Sequence, residues 1–187
     1  AALLLPIAAR RRALMPVLRR WKVLLAFAVA EIVLPWYALN AAEITLPSST
    51  TGLLLASIPL VAIGVAFVFG RRHRVTALTV LGLLTGTAGV AAVVGLDLGR
   101  GDLGAVALLS VAVVGYAVGP AILAKYMSDL PGIGVMSLAL AAAAVIYLPI
   151  VGVTGGWPTV VPSPAAIVSV LVLAVVCSAI AFLLMFA

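Results

Sequence analysis

The sequence predicts an all-α integral membrane protein, a bundle of apolar helices joined by short loops. Three observations carry this. Hydrophobic residues make up 66% of the 187-residue chain and charged residues only 9%, at a mean hydropathy of +1.38. So few charges cannot cover the surface of a soluble domain. The apolar runs are ~20 residues long, the length at which a helix rising about 1.5 Å per residue crosses a hydrocarbon core of ~30 Å. The runs are also apolar on both faces, whereas barrel strands alternate, and helices satisfy their own backbone polar groups in lipid.

Residues 1–9 read as the inner end of a helix, followed by RRRALMPVLRRWK (10–22), which is basic and contains no acid. The full spans predicted are 23–42, 51–69, 75–96, 103–124, 132–152 and 165–187. The connection 10–22, GRRHR (70–74) and the 125–131 turn with Lys125 are basic. The alternate connections are EITLPSST (43–50), DLGRGD (97–102) and VTGGWPTVVPSP (153–164). Placing these loops alternately on two sides puts every Lys and Arg on one side except Arg100, which Asp97 and Asp102 flank. The positive-inside rule makes the basic side cytoplasmic, in a bacterial inner membrane. The net charge of +6 is therefore topogenic, and no nucleic-acid partner is expected. Both ends of the chain fall inside apolar runs, which predicts a segment of a longer protein. The start is not a signal peptide, since its apolar stretch precedes its arginines. Cys177 is the single cysteine and forms no intrachain disulfide.

Within the spans, Gly82 and Gly86 are four apart, as are Gly115 and Gly119, a spacing that lines one helix face for close packing. Pro35, Pro59, Pro120 and Pro149 fall inside spans, where proline removes a backbone hydrogen bond and kinks the helix. LLLPIAA (3–9) recurs as IYLPIVG (146–152). The connections 10–22, 43–50, 70–74, 97–102 and 125–131 lie between them. An odd number of crossings makes the two segments run in opposite directions, an inverted-topology repeat of the kind on which secondary transporters are built.

The residue that asks for a function is Glu31, near the middle of VLLAFAVAEIVLPWYALNAA (23–42). Every other carboxylate falls in or beside a loop. An ionisable group at bilayer depth costs roughly 2.5–3.5 kcal/mol on insertion scales, so it faces a protein interior or a watery cavity. On an ideal helix Glu31 shares a face with Leu24, Ala28, Pro35, Ala38 and Ala42. It either lines a cavity, holding a cationic substrate or a coupling proton, or makes a structural hydrogen bond to a neighbouring helix. Trp36 and Tyr37 form either a cavity wall or the outer interfacial belt. Tyr116, at mid-span beside Gly115, Gly119 and Pro120, needs a partner for its buried phenol. Asn40 is a gate or a solvated outer residue. His73 lies in a basic cluster and reads as topogenic, and Trp21, Tyr126 and Trp157 read as interface anchors.

Catalysis has no support in the pattern. One histidine cannot supply H-E-x-x-H, and no acidic pair lies within a span to hold magnesium. A phosphate-cradling G-x-x-x-x-G-K-[ST] loop is absent from the sequence. No cofactor is expected.

LPWYALNAAEITLPSSTTGLLLASIPLVAIGVAFVFG (34–70), GLLTGTAGVAAVVG (82–95), GDLGAVALLSVAVVGYAVGPAILAKY (101–126) and AVVCSAIAFLLMFA (174–187) together resemble the EamA-type permeases of the drug/metabolite transporter superfamily. The resemblance implies ten helices in two inverted five-helix repeats, with both termini cytoplasmic. Residues 1–96 would hold the end of helix 2 and helices 3, 4 and 5 of the first repeat, and 97–187 would hold helices 6, 7 and 8 of the second. It implies a permease for small polar metabolites such as amino acids or their derivatives, with efflux favoured over uptake. The expected partners are a small-molecule substrate, the lipid bilayer and a coupling proton, with a homodimer as a candidate assembly. Many members carry a Glu at the inner end of helix 4, where this chain reads Gly70-Arg71-Arg72, so no role transfers to that position. A non-transporting membrane scaffold is the alternative from a different class.

Overall fold

The computed structural model describes residues 3–70, 76–97, 103–154, 156 and 162–175, and no strand occurs among them. The predicted features at Arg71, Arg72, His73, Arg74, Arg100, Asp102, Trp157 and Cys177 lie outside the described residues. The chain packs as two units, one of residues 1–25 with 129–187 and one of residues 26–128.

In the first unit, α1 (Leu4–Arg10) and α2 (Leu14–Leu18) both pack on α9 (Gly132–Thr154). The 10–22 connection is thus not a plain loop, because part of it folds as α2. Between the two short helices the chain reverses at Arg12, whose φ of 51° is the left-handed conformation uncommon outside glycine. The reversal is fixed from below by Ala8, Ala13 and Ile133, which bury together. Gly134 is required there, since a Cβ on it would overlap the carbonyl of Ala13. In α10 (Pro164–Val172) the Ser163 hydroxyl accepts from the Ala166 N–H at 3.2 Å, with proline in the first turn. This is the N-terminal capping pattern that the PSP stretch (162–164) carries in sequence.

The loop before α9 holds one ion pair. Arg20 donates two parallel bonds of 2.7 Å to the carboxylate of Asp129. Those bonds hold the Asp129 carboxyl below the usual carboxylate range. A depressed acid contributes stability above its ordinary range and loses it as pH falls through the lowered value. Asp129→Asn is therefore expected to lower the thermal unfolding midpoint at pH 7. The gap from the native chain should close toward about pH 3, near the unperturbed aspartate range, and should shrink with added salt, because the pair is exposed. A gap that stays constant from pH 7 to that acid limit would contradict the assignment.

The helix α3 (Trp21–Ala28) begins in the first unit and, within the second, continues through a π turn, Val29–Val33, into α4 (Leu34–Ala42). Together they form one helix, Trp21–Ala42, long and apolar enough to span a membrane. The next span, Ser48–Val68, is divided into α5 (Ser48–Leu55) and α6 (Ile58–Val68). The division falls at Ala56 and Ser57, where the Ser57 hydroxyl donates to Leu54 O at 2.6 Å and Pro59 opens the second piece. Beyond Gly70 and its positive φ come α7 (Ala77–Asp97) and α8 (Leu103–Tyr126). α4 and α6 both pack on α8, and α5 packs on α7 and α8.

Small residues set the α4–α8 contact. Ala38, Ala42 and Leu46 meet Ala105, Leu109 and Ala112 in one buried cluster. In lipid such contacts are held by close van der Waals packing, because apolar burial from water offers little. Gly82 and Gly86 do not repeat this arrangement. A Cβ at Gly82 would meet nothing, and one at Gly86 would make ordinary contact with Leu60. Gly82→Ala is accordingly expected to change the unfolding midpoint negligibly, within about 0.5 kcal/mol of stability.

At the far end of α8, Lys125 donates to the carbonyl of Phe69 at 3.2 Å and stands 5.3 Å from that ring's centroid. The ammonium thereby caps the C-terminus of α6, where helix carbonyls lack partners and the dipole is negative. Lys125→Met should reduce stability by about 0.3–1 kcal/mol, read as a lower unfolding midpoint in detergent. An unchanged midpoint would remove Lys125 from this role.

Candidate functional site

The site forms where Glu31 meets α8, and its geometry begins with Pro35. Proline has no N–H, so the carbonyls one turn before it lose their donor. The chain responds with the π turn, in which the Leu34 N–H reaches back to Val29 O. This leaves the Ala30 carbonyl without a main-chain donor, since Leu34 is already used and Pro35 has none to give. Single π turns inside α-helices recur at functional sites because they turn side chains and carbonyls out of register.

Two glycines of α8 receive that turn. A Cβ at Gly115 would lie 2.5 Å from Ala30 O and 2.7 Å from Pro35 Cγ. One at Gly119 would overlap Glu31 Oε2 and lie 2.8 Å from its Cβ. Pro35 thus pairs with Gly115 and Glu31 with Gly119, so the two helices run antiparallel with matched four-residue spacings. The Ala30 carbonyl faces the space that a Cβ on residue 115 would fill. Glycine is needed at both positions for the approach, not for a special backbone angle.

Glu31 itself is half-buried, and its Oε2 is fully buried with no hydrogen bond among the described residues. Tyr116, on α8, stands near both the Glu31 carboxyl and the Trp36 side chain. Glu31, Trp36 and Tyr116 are therefore brought together by one helix pair. Tyr37 points away and is 56% exposed. Asn40 donates to Trp36 O at 2.7 Å, one turn back on its own helix. Pro120 lies within an uninterrupted α8 and Pro149 within an uninterrupted α9, while Pro35 and Pro59 each follow a break in the regular helix.

The face of α3 and α4 that carries Glu31 is the buried one. Leu24, Ala28, Ala38 and Ala42 are each at most 4% exposed, and Pro35 is fully buried. An apolar groove runs along the neighbouring surface, lined by Ala30, Leu34, Val111, Val114 and Val118 together with Ser110. Glu31 is not among its walls, because its carboxyl turns to Gly119 instead.

Sequence reasoning missed two buried hydroxyls. Thr50 and Thr51, in the first turn of α5, are 3% and 2% exposed, and Thr51 Oγ1 has no hydrogen bond among the described residues. Their only sequence signal was a polar pair beside an apolar run, which also describes an ordinary loop end. The arrangement gathers an acid, a phenol and an indole where α4 meets α8. No group of His, Cys, Asp and Glu that could hold a metal occurs among the described residues.

Among the described residues four helices are long and apolar enough to cross a bilayer, and with the buried carboxyl between two of them they define a multi-pass helical membrane protein. The model of the EamA-like transporter family matches residues 1–95, just over half of the 187. The chain belongs to that family. Glu31, Trp36 and Tyr37 lie within the matched part, whereas Tyr116 and the two glycines lie beyond it. No curated protein and no solved structure matches the chain.

Proposed function

We propose that this chain is part of a secondary transporter that moves small polar metabolites, such as amino acids or their derivatives, across a bacterial inner membrane. Alternating access would arise from rocking of two inverted repeats, to which residues 1–96 and 97–187 contribute, about a midplane site. Export is the favoured direction. The observation that carries the reading is the unpaired, buried carboxyl oxygen of Glu31, seated on Gly119 inside a chain of a transporter family. An intramembrane acid without a protein partner calls for a cation or a proton to complete it. Tyr116 stands near that charge and near Trp36, and the aromatic faces of the two suit an ammonium group.

The test is counterflow in proteoliposomes of the complete gene product, preloaded with a panel of unlabelled amino acids and related amines. The expected result is accumulation of labelled substrate for a subset of the panel, greatest for cargo that carries an ammonium group. Retention of the label outside for every cargo tried, by protein that remains folded, would sink the reading and leave a membrane scaffold as the better description.

A further inference from the structure

The basic stretch before α3 folds into a groove. Arg12, Met15, Pro16, Arg19, Arg20 and Asp129 line it, around a volume of about 450 Å³. Arg20 is committed to Asp129 through its two-bond fork, which neutralises that pair. Arg12 and Arg19 form no ion pair among the described residues. The groove therefore presents two guanidinium groups without an ion-pair partner among the described residues, beside a neutralised pair. Its walls are held in place, because the Arg12 reversal is pinned through Ala13 to Gly134 of α9.

The rim is apolar where a soluble anion site would be polar. Met15, in the groove wall, is 69% exposed. Leu18 and Trp21, outside the wall but adjacent to it in sequence, are 44% and 54% exposed, and Trp21 is the first residue of a membrane-spanning helix. Lys22 stands 5.7 Å from the Trp21 ring centroid. Arginine heads beside exposed apolar side chains at the end of a span are the composition of the headgroup zone.

We propose that this groove is a binding site for the phosphodiester headgroup of an anionic phospholipid. The guanidinium groups of Arg12 and Arg19 take the phosphate oxygens, for which their planar forks are shaped. Met15, Leu18 and Trp21 meet the upper acyl chains. A free phosphate satisfies the arginines but leaves the apolar rim in water, which is why the lipid is the better occupant. The inference requires that the chain sit in a membrane, which its family and its spans supply, and it is independent of what is transported.

The test is equilibrium binding of acyl-labelled phosphatidylglycerol to the full chain in mixed micelles, with phosphatidylcholine and inorganic phosphate as competitors. At about 1 kcal/mol per arginine near the headgroup plane, two arginines give a preference of roughly 30-fold over phosphatidylcholine. Replacing both Arg12→Gln and Arg19→Gln should abolish that preference. Arg12→Lys with Arg19→Lys should lose several-fold by keeping charge without the fork, and this pair decides the matter if the glutamine pair does not fold. Arg10→Gln with Arg11→Gln, outside the groove, should leave affinity nearly unchanged. Three results would overturn the proposal. They are equal losses from the Arg10 and Arg11 pair, undiminished binding by the lysine pair, and displacement of the lipid by inorganic phosphate at equal concentration.

Discussion

Glu31→Gln is expected to abolish proton-driven accumulation of cargo while leaving the protein folded. Glutamine keeps the shape of the side chain, so the seat on Gly119 and the contact with α8 are retained. What it removes is the ability to gain and lose a proton or to pair with a cation. Two readings of the acid then separate by experiment. If Glu31 carries the coupling proton, the variant still exchanges cargo in counterflow but no longer responds to a pH gradient. If Glu31 holds the ammonium group of the cargo, counterflow falls too. The loss of one charge-assisted hydrogen bond, about 1.5–3 kcal/mol, corresponds to roughly tenfold to a hundredfold in rate or affinity. An unchanged counterflow rate together with an unchanged pH dependence would remove Glu31 from the mechanism.

The second large effect is expected at Gly115. A methyl group there would meet the Ala30 carbonyl at 2.5 Å and the Pro35 ring at 2.7 Å. Neither can yield easily, since one is backbone and the other a ring fixed to it. Gly115→Ala should force the helices apart at about 1–3 kcal/mol, the usual cost of overpacking, read as a drop in the unfolding midpoint. Gly119→Ala meets Glu31 Cβ at 2.8 Å, which no rotamer moves, so it should cost stability as well, and it also displaces the Glu31 carboxyl. The two glycines are distinguished by transport: Gly119→Ala should impair it beyond its loss of stability. Equal midpoints for Gly115→Ala and the native chain would show that the π turn and α8 do not touch as described.

Much of this was legible in the residues. Apolar length placed four of the predicted spans, which recur as span-length helices among the described residues, because bilayer thickness acts directly on sequence. Glu31 stood out because nothing else ionisable shared its depth. The Gly115 and Gly119 spacing announced a close approach, and the Glu31 and Pro35 spacing matches it, yet only the structure shows which faces which. Pairing between distant helices depends on packing that one sequence does not print. Pro35 signalled an interruption, but its form as a π turn three residues earlier follows from which carbonyls find donors. Gly82 and Gly86 carried the same spacing without a close approach, since a Cβ would meet nothing at Gly82 and only ordinary contact at Gly86, so spacing alone overstated them. Asp129 was hidden as an ordinary loop acid until Arg20 was placed beside it.

Of the two roles open to Glu31, we propose that it joins cargo movement to a proton. The most direct measurement is substrate-dependent proton movement in weakly buffered proteoliposomes of the complete gene product. The account expects a pH change inside the vesicles when a cargo found by counterflow is added to the native protein, and none with Glu31→Gln. A proton signal of the same size from both would contradict it.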